Sequence, residues 1–208
     1  MPTVDLGVLV SGRGSNLQAI LDAIAAGALD ARVRVVISNQ PDAAALERAA
    51  SAGVPTRCIP HRDYPSREAF DEALVAALRE AQVEWVVLAG FMRVLTGTFV
   101  RAFPHRIINI HPALLPAFPG THAHRQALDY GVKVSGCTVH LIDEGVDTGP
   151  IIAQRAVPVL DDDDEERLAA RVLVEEHALL VEVLRDVAAG KVRIVGSERG
   201  GRARAKRG

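Results

Sequence analysis

The chain is predicted to be one α/β domain, with a mostly parallel sheet, helices on both faces and an antiparallel C-terminal part. Three observations predict it. Short Val/Ile-rich runs alternate with longer helical patterns through the first half of the sequence, as in βαβ units. Those runs are almost continuously apolar, as strands buried on both faces are. Hydrophobic residues make up 49% of the 208 residues and aromatics only 4%, so the core must be built from Ala, Val, Leu and Ile. That suits helices on a sheet better than an aromatic-rich sandwich.

The elements follow in order. Val4 to Val10 reads as a buried strand, broken only by Asp5 and Gly7. Ser11 to Asn16 is turn chemistry, and Leu17 to Ala26 then forms a helix stopped by Gly27. Val33 to Ser38 is a second strand. Asp42 to Ala52 is a second helix, with Asp42 as its cap and Gly53 as its stop. Arg57 to Pro60 is a short extended piece. Ser66 to Ala81 is a third helix, with Glu68 favouring its first turn through the helix dipole. Trp85 to Ala89 and Ile107 to Ile110 are further strands.

The pattern changes after His111. His111 to Gly120 holds three prolines and a glycine, which predicts an ordered loop. Thr121 to Tyr130 is a helix. Gly136 to Ile142 and Ile151 to Val159 are strands joined by Asp143 to Pro150, short enough for a hairpin. A last helix runs from about Asp164 to Ala189. Its buried face is read as Leu168, Val172, Leu173, Leu179, Leu180, Val183, Leu184 and Val187. The acidic run Asp161 to Glu166 supplies its cap and favourable dipole charges.

Charge and cysteine content narrow the function classes. The net charge is −2. From Ser197 to Gly208, five Arg and Lys against Glu198 give +4, which leaves −6 for the rest. Nucleic-acid enzymes of this size usually carry a basic body, so no nucleic-acid partner is expected. The tail has no apolar residue larger than Ala and is expected to be disordered. Cys58 and Cys137 form no CxxC pair, and no H-x₃-H or HExxH spacing occurs, so neither a disulfide framework nor a metal is expected. With no signal peptide and no apolar run of about 18 residues, the expected location is the cytoplasm, with no membrane partner.

Two regions carry chemistry. Ser11-Gly12-Arg13-Gly14-Ser15-Asn16 follows the first strand and opens the first helix, where backbone N–H groups and the helix dipole meet an anion. A dinucleotide fingerprint would need glycine at Leu17, and a P-loop would need Gly-Lys-Ser/Thr. A small phosphate-bearing substrate remains, against the plainer reading of a tight turn with no ligand. Asn109 and His111 alternate on a strand and so face one side, where an apolar strand runs out into a loop. An amide beside an imidazole suits oxyanion stabilisation and proton movement. The acidic loop Asp143 to Pro150 can supply a carboxylate to raise the imidazole pKa and orient it. On spacing, Asp143, Glu144 and Asp147 are all candidates. His140 alternates in a strand and can face the same side.

These pieces together resemble the phosphoribosylglycinamide formyltransferases, the folate-dependent transformylases of purine synthesis, within the wider formyltransferase family. The resemblance runs from Val4 to about Arg193. It rests on Ser11-Gly-Arg-Gly-Ser-Asn16, Leu88-Ala-Gly-Phe-Met-Arg-Val-Leu95, Asn109-Ile-His-Pro-Ala-Leu-Leu-Pro116, Gly136-Cys-Thr-Val-His140 and Asp143-Glu-Gly-Val-Asp-Thr-Gly-Pro150. It implies a Rossmann-like formyltransferase domain over residues 1–195, with 196–208 as the tail. It implies 10-formyltetrahydrofolate as formyl donor and co-substrate, phosphoribosylglycinamide as acceptor, and a monomer or homodimer.

The family's catalytic trio falls on Asn109, His111 and Asp147. The substrate phosphate falls on Gly14, Ser15 and Asn16, and Glu176 matches the acid that contacts the ribose. Arg67, Met92, Arg93, Val94 and Leu95, together with Asn109 and the loop Asp143, Glu144, Gly145, Val146 and Asp147, match the folate-contacting positions. Leu173 departs from the pattern, standing where a polar residue near the ribose is expected. On this reading Asp147 keeps His111 protonated, and Asn109 and His111 stabilise the oxyanion.

Within the family, methionyl-tRNA formyltransferase carries a further C-terminal domain, whereas about 20 residues follow the last helix here. Formyltetrahydrofolate hydrolase carries a further N-terminal domain, whereas the first strand here begins at Val4. A plain nucleotide-binding module would have no need of Asn109, His111 and Asp147 together.

Overall fold

The structure is a computed structural model that describes residues 3–196 and 204–208. Its backbone ladder orders seven strands as β3-β2-β1-β4-β5-β6-β7. The chain divides into two compact units, Met1–Asn109 and Ile110–Gly208, and the division falls inside β5.

The first unit carries β1 (Val4–Val10), α1 (Ser15–Ala25), β2 (Ala31–Ser38), α2 (Ala44–Ser51), β3 (Thr56–Cys58), α3 (Arg67–Glu80), β4 (Trp85–Leu88) and α4 (Gly97–Ala102), and enters β5 (Ile107–His111). β1 pairs in parallel with β2 on one side and with β4 on the other. β2 pairs in parallel with β3, and β4 with β5. Successive residues of β1 are buried, so both faces of the strand are covered, as the continuous apolar run predicts. Strand order reverses between β1 and β4. In open α/β sheets such a switch point, at the carboxyl ends of the strands, is where ligands bind.

The second unit carries α5 (Ala123–Tyr130), β6 (Val134–Leu141), β7 (Ile151–Pro158), α6 (Glu165–Ala188), β8 (Val192–Val195) and β9 (Arg204–Arg207). β6 and β7 pair antiparallel, as the short acidic connection predicts. α6 packs against both strands. Asp164 caps α6, its carboxylate accepting from the Arg167 N–H at 2.8 Å. The buried face of α6 matches the expected set except at Leu173, which is only half-buried; Glu176 is buried among the apolar positions instead.

Several boundaries differ from expectation. Asp42 does not cap α2. Ala43 holds the cap position without a side-chain bond, because the helix begins one residue later than the carboxylate could serve. α5 begins at Ala123, since His122 adopts φ 59° and breaks the helix before Thr121 can join it. α4 was not foreseen, being six residues long and too short to show a helical period.

The far end of the tail also differs. Arg204–Arg207 pair antiparallel with β8, and Arg207 binds the carboxylates of Glu182 and Asp186 on α6. Charge complementarity with an acidic helix face orders a segment that has no apolar side chain larger than Ala to bury. The expectation of disorder for residues 197–203 lies outside the described residues.

Candidate active site

In the first unit, the carboxyl ends of β1 and β4 each give way to an irregular segment carrying candidate residues. After β1, Gly14 takes the N-cap position of α1 in the left-handed region, at φ 74°. A Cβ there would lie 2.6 Å from the Ala45 Cβ and 2.8 Å from its Cα, so only glycine fits beside α2. The carbonyls of the loop are already engaged: Gly12 accepts from the Ala45 N–H, Arg13 from Arg48 Nε and Gly14 from the Gln18 N–H. No side chain caps α1, and no acid sits in its first turn. The first intrahelical bond is the one from the Gln18 N–H to Gly14, and a helix start of this kind can receive an anion. Gly14, Ser15 and Asn16 form this start of α1.

After β4 comes the segment 89–96. Met92 is 70% exposed and Val94 50%, whereas Leu95 is buried at 7%. The guanidinium of Arg67, on the first turn of α3, donates to the Val94 carbonyl at 2.8 Å. Arg67 and Val94 are thus brought into direct contact.

In the second unit, His111 ends β5 with 4% of its surface exposed. Its Nδ1 lies 3.4 Å from Asp147 Oδ2 and its Nε2 lies 2.8 Å from the Phe118 carbonyl. A carbonyl can only accept, so Nε2 carries a proton. Asp147 reaches His111 from a left-handed conformation, φ 53°, in the β6–β7 connection. It also accepts from the Gly120 N–H at 2.7 Å and lies 3.6 Å from His140 Nε2. Burial pushes the Asp147 carboxyl up, and the bonds from His140 and Gly120 pull it down, leaving it below the usual carboxylate range.

The three candidate acids are now distinguished. Asp143 accepts from the Gly145 N–H and the Thr148 hydroxyl and so shapes its own loop. Glu144 is exposed. Asp147 pairs with His111.

One expectation is corrected. Asp147 does favour the charged imidazole, but burial outweighs it, and the net pKa of His111 is lowered. His111 is neutral in the ligand-free protein at neutral pH. Asn109 lies two residues before it on the same strand and so shares its face.

Glu176 is buried on α6, and its charge, after burial itself, helps raise the Cys137 thiol to about 12. The Phe118 carbonyl and the Gly120 N–H were not legible in the sequence, because backbone groups carry no residue signal.

A match to the formyl transferase family extends over residues 5–184. The chain belongs to the formyl transferase family. Among its relatives, the phosphoribosylglycinamide formyltransferase of Mycobacterium tuberculosis (strain ATCC 25618 / H37Rv) is 51% identical over 191 residues, which cover 92% of this chain and 88% of that protein. The trifunctional purine biosynthetic protein adenosine-3 of Drosophila pseudoobscura pseudoobscura is 52% identical over 196 residues, 93% of this chain. The chain spans only 14% of that much longer protein. Among solved structures of the family, glycinamide ribonucleotide transformylase 1 from Symbiobacterium toebii superposes with a TM-score of 0.93 at 51% identity, covering 99% of this chain and 94% of that one. Among the described residues, no group of three or more His, Cys, Asp or Glu side chains is placed to hold a metal ion. No described helix is long and apolar enough to cross a membrane.

Proposed function

We propose that this formyl transferase moves the formyl group of 10-formyltetrahydrofolate to the amine of 5′-phosphoribosylglycinamide, giving formylglycinamide ribonucleotide and tetrahydrofolate. The observation that carries the reading is the His111–Asp147 pair at 3.4 Å, with Asn109 two residues before His111 on β5. The names of the relatives at 51% identity support the substrate class.

The reaction breaks the bond from the formyl carbon to the folate nitrogen and forms one to the glycinamide nitrogen. The amine attacks, negative charge grows on the formyl oxygen, and a proton passes from the attacking amine to the departing folate nitrogen. Asn109 donates its amide hydrogen to that oxygen. His111 begins neutral, its Nε2 proton held by the Phe118 carbonyl. The growing oxyanion is the stronger acceptor and takes over that Nε2–H hydrogen bond from the carbonyl. The negative charge arriving beside the ring favours uptake of a solvent proton at Nδ1, and Asp147 stabilises the imidazolium so formed. Asp147, held below the usual carboxylate range, remains an acceptor throughout and relays the amine proton through water.

The phosphate binds the first turn of α1 through Gly14, Ser15 and Asn16, with Glu176 on the ribose. Arg67, Met92 to Leu95, Asn109 and Asp143 to Asp147 hold the folate. The site needs no metal, and the enzyme works in the cytoplasm as a monomer or homodimer.

An absorbance assay with purified protein, the formyl donor and phosphoribosylglycinamide tests the reading. Donor consumption should depend on the amine substrate. Equal consumption without it would identify a hydrolase instead.

A further inference from the structure

The segment 89–96 is irregular, and its exposed residues Met92 and Val94 have little packing to fix them. Polar side chains from other elements hold it at both ends. At its start, the Ser11 N–H donates to the Gly90 carbonyl at 3.2 Å, and the Ser11 hydroxyl accepts from the Met92 N–H at 2.8 Å. The same hydroxyl donates to Asn39 Oδ1 at 2.6 Å. Asn39 is 2% exposed, and its amide lies 3.2 Å from His61 Nδ1. At its end, beyond the Arg67 contact, Asp71 accepts from the Thr96 N–H at 2.6 Å. Arg67 and Asp71 are one turn apart on α3 and so share an edge of the helix.

Asp71 is only 2% exposed. Burying a carboxylate is unfavourable, and here it accepts from the cap residue of a six-residue helix. A plain Ser or Asn cap would serve α4 at far lower cost. What the carboxylate adds is a strong, charge-assisted tie at the point where the irregular segment ends.

We propose that Asp71 and the Ser11–Asn39 pair are positioning residues that preset the segment 90–96 to receive the formyl donor, with Ser11 tying that segment to the phosphate loop. The inference rests on the reading above that residues 92–95 contact folate. None of the three residues touches the reacting atoms. They act through the backbone of the segment, and a preset segment spares the donor the entropy of ordering it.

The test compares the wild type with Asp71→Ala, Asp71→Asn and Ser11→Ala, using fluorescence titration with a non-reactive folate analogue alongside steady-state kinetics. Loss of one anchoring bond should weaken analogue binding about 3–30-fold in Asp71→Ala and Ser11→Ala, and the donor KM should rise in step. The kcat at saturation should stay within about twofold of wild type, because the reacting groups are untouched. In Asp71→Asn an amide oxygen still accepts from Thr96, so most of the affinity should return. The KM for phosphoribosylglycinamide should not move in Asp71→Ala.

Unchanged analogue affinity in both alanine variants would overturn the inference. So would equal losses for the two substrates in Asp71→Ala. If Asp71→Ala does not fold, Ser11→Ala decides alone. A wild type that ignores the analogue would overturn the folate reading itself, and this inference with it.

Discussion

Two opposing effects meet at His111. Burial lowers the imidazole pKa and Asp147 raises it, and burial is the larger of the two. Asp147→Asn is a clean probe of that balance. Asn tolerates the left-handed backbone at φ 53°, and its amide oxygen can still accept from Gly120. The imidazole pKa should fall further, and kcat should drop by ~10²–10⁴, the usual cost of losing a tuned acid–base partner. Folate affinity should change far less. His111→Asn should be similarly damaging, and the double variant should cost much less than the product of the singles, because the residues act as a unit. Asp143→Asn, which disturbs the bonds to Gly145 and Thr148 and leaves the His111–Asp147 pair in place, is the milder control. Multiplicative losses in the double variant would dissolve the pairing.

At the scale of elements, single side chains fix segments that no ladder fixes. Thr138 on β6 is fully buried and donates to the Ala113 carbonyl at 2.7 Å. It accepts from the Leu115 N–H and from Gln154, each at 3.0 Å. It thereby holds the proline-rich loop that follows His111. Thr138→Val keeps the shape and strands these partners in the interior, and should destabilise the protein by about 1–3 kcal/mol. Chemical denaturation measures this, and a loss well below that range would show that water replaces the hydroxyl. The pairing of β9 with β8 is a weaker tie. Arg207, 29% exposed, binds Glu182 and Asp186 in a partly solvated network. Arg207→Ala should cost no more than about 1 kcal/mol and leave kcat unchanged. A larger stability loss, or any loss of turnover, would mean that the tail has a role the ion pairs do not reveal.

At the scale of the whole molecule, three histidines set the response to acid. His111, His124 and His177 all have pKa values lowered from 6.5, with burial the largest cause in each. The unfolded chain therefore binds more protons than the folded one just below that value, and stability falls as pH drops through the window. Asp147 adds a further loss at lower pH, since its lowered pKa stabilises the fold only while the carboxylate is charged. The raised pKa of Asp71, due first to burial, acts in the opposite sense, and it too acts nearer the carboxylate range. The histidine window can therefore be read by itself. The urea midpoint should be level above about pH 7 and decline towards about pH 5. A midpoint that stays level to pH 5 would rule out the buried neutral histidines as its cause.

The parallel core, the antiparallel C-terminal pair, the long final helix and the Asn109–His111 alternation were all legible in the sequence, because each is a periodic or contiguous pattern of residue types. Periods of 2 and 3.6 state which side chains share a face, and glycines with polar neighbours mark where strands end. Tertiary structure alone decided the rest. Spacing left Asp143, Glu144 and Asp147 equal, and only the folded path of the β6–β7 connection pairs Asp147 with His111. The protonation state of His111 followed from its burial rather than from its partner, and burial belongs to packing. The ties from Ser11 to Met92 and from Asp71 to Thr96 join residues 81 and 25 positions apart through backbone atoms, which carry no residue signal at all. The far end of the tail took strand form through acids on α6 that its own composition does not mention. Local chemistry writes elements and motifs into a sequence, whereas desolvation and long-range polar contacts exist only once the chain has closed on itself.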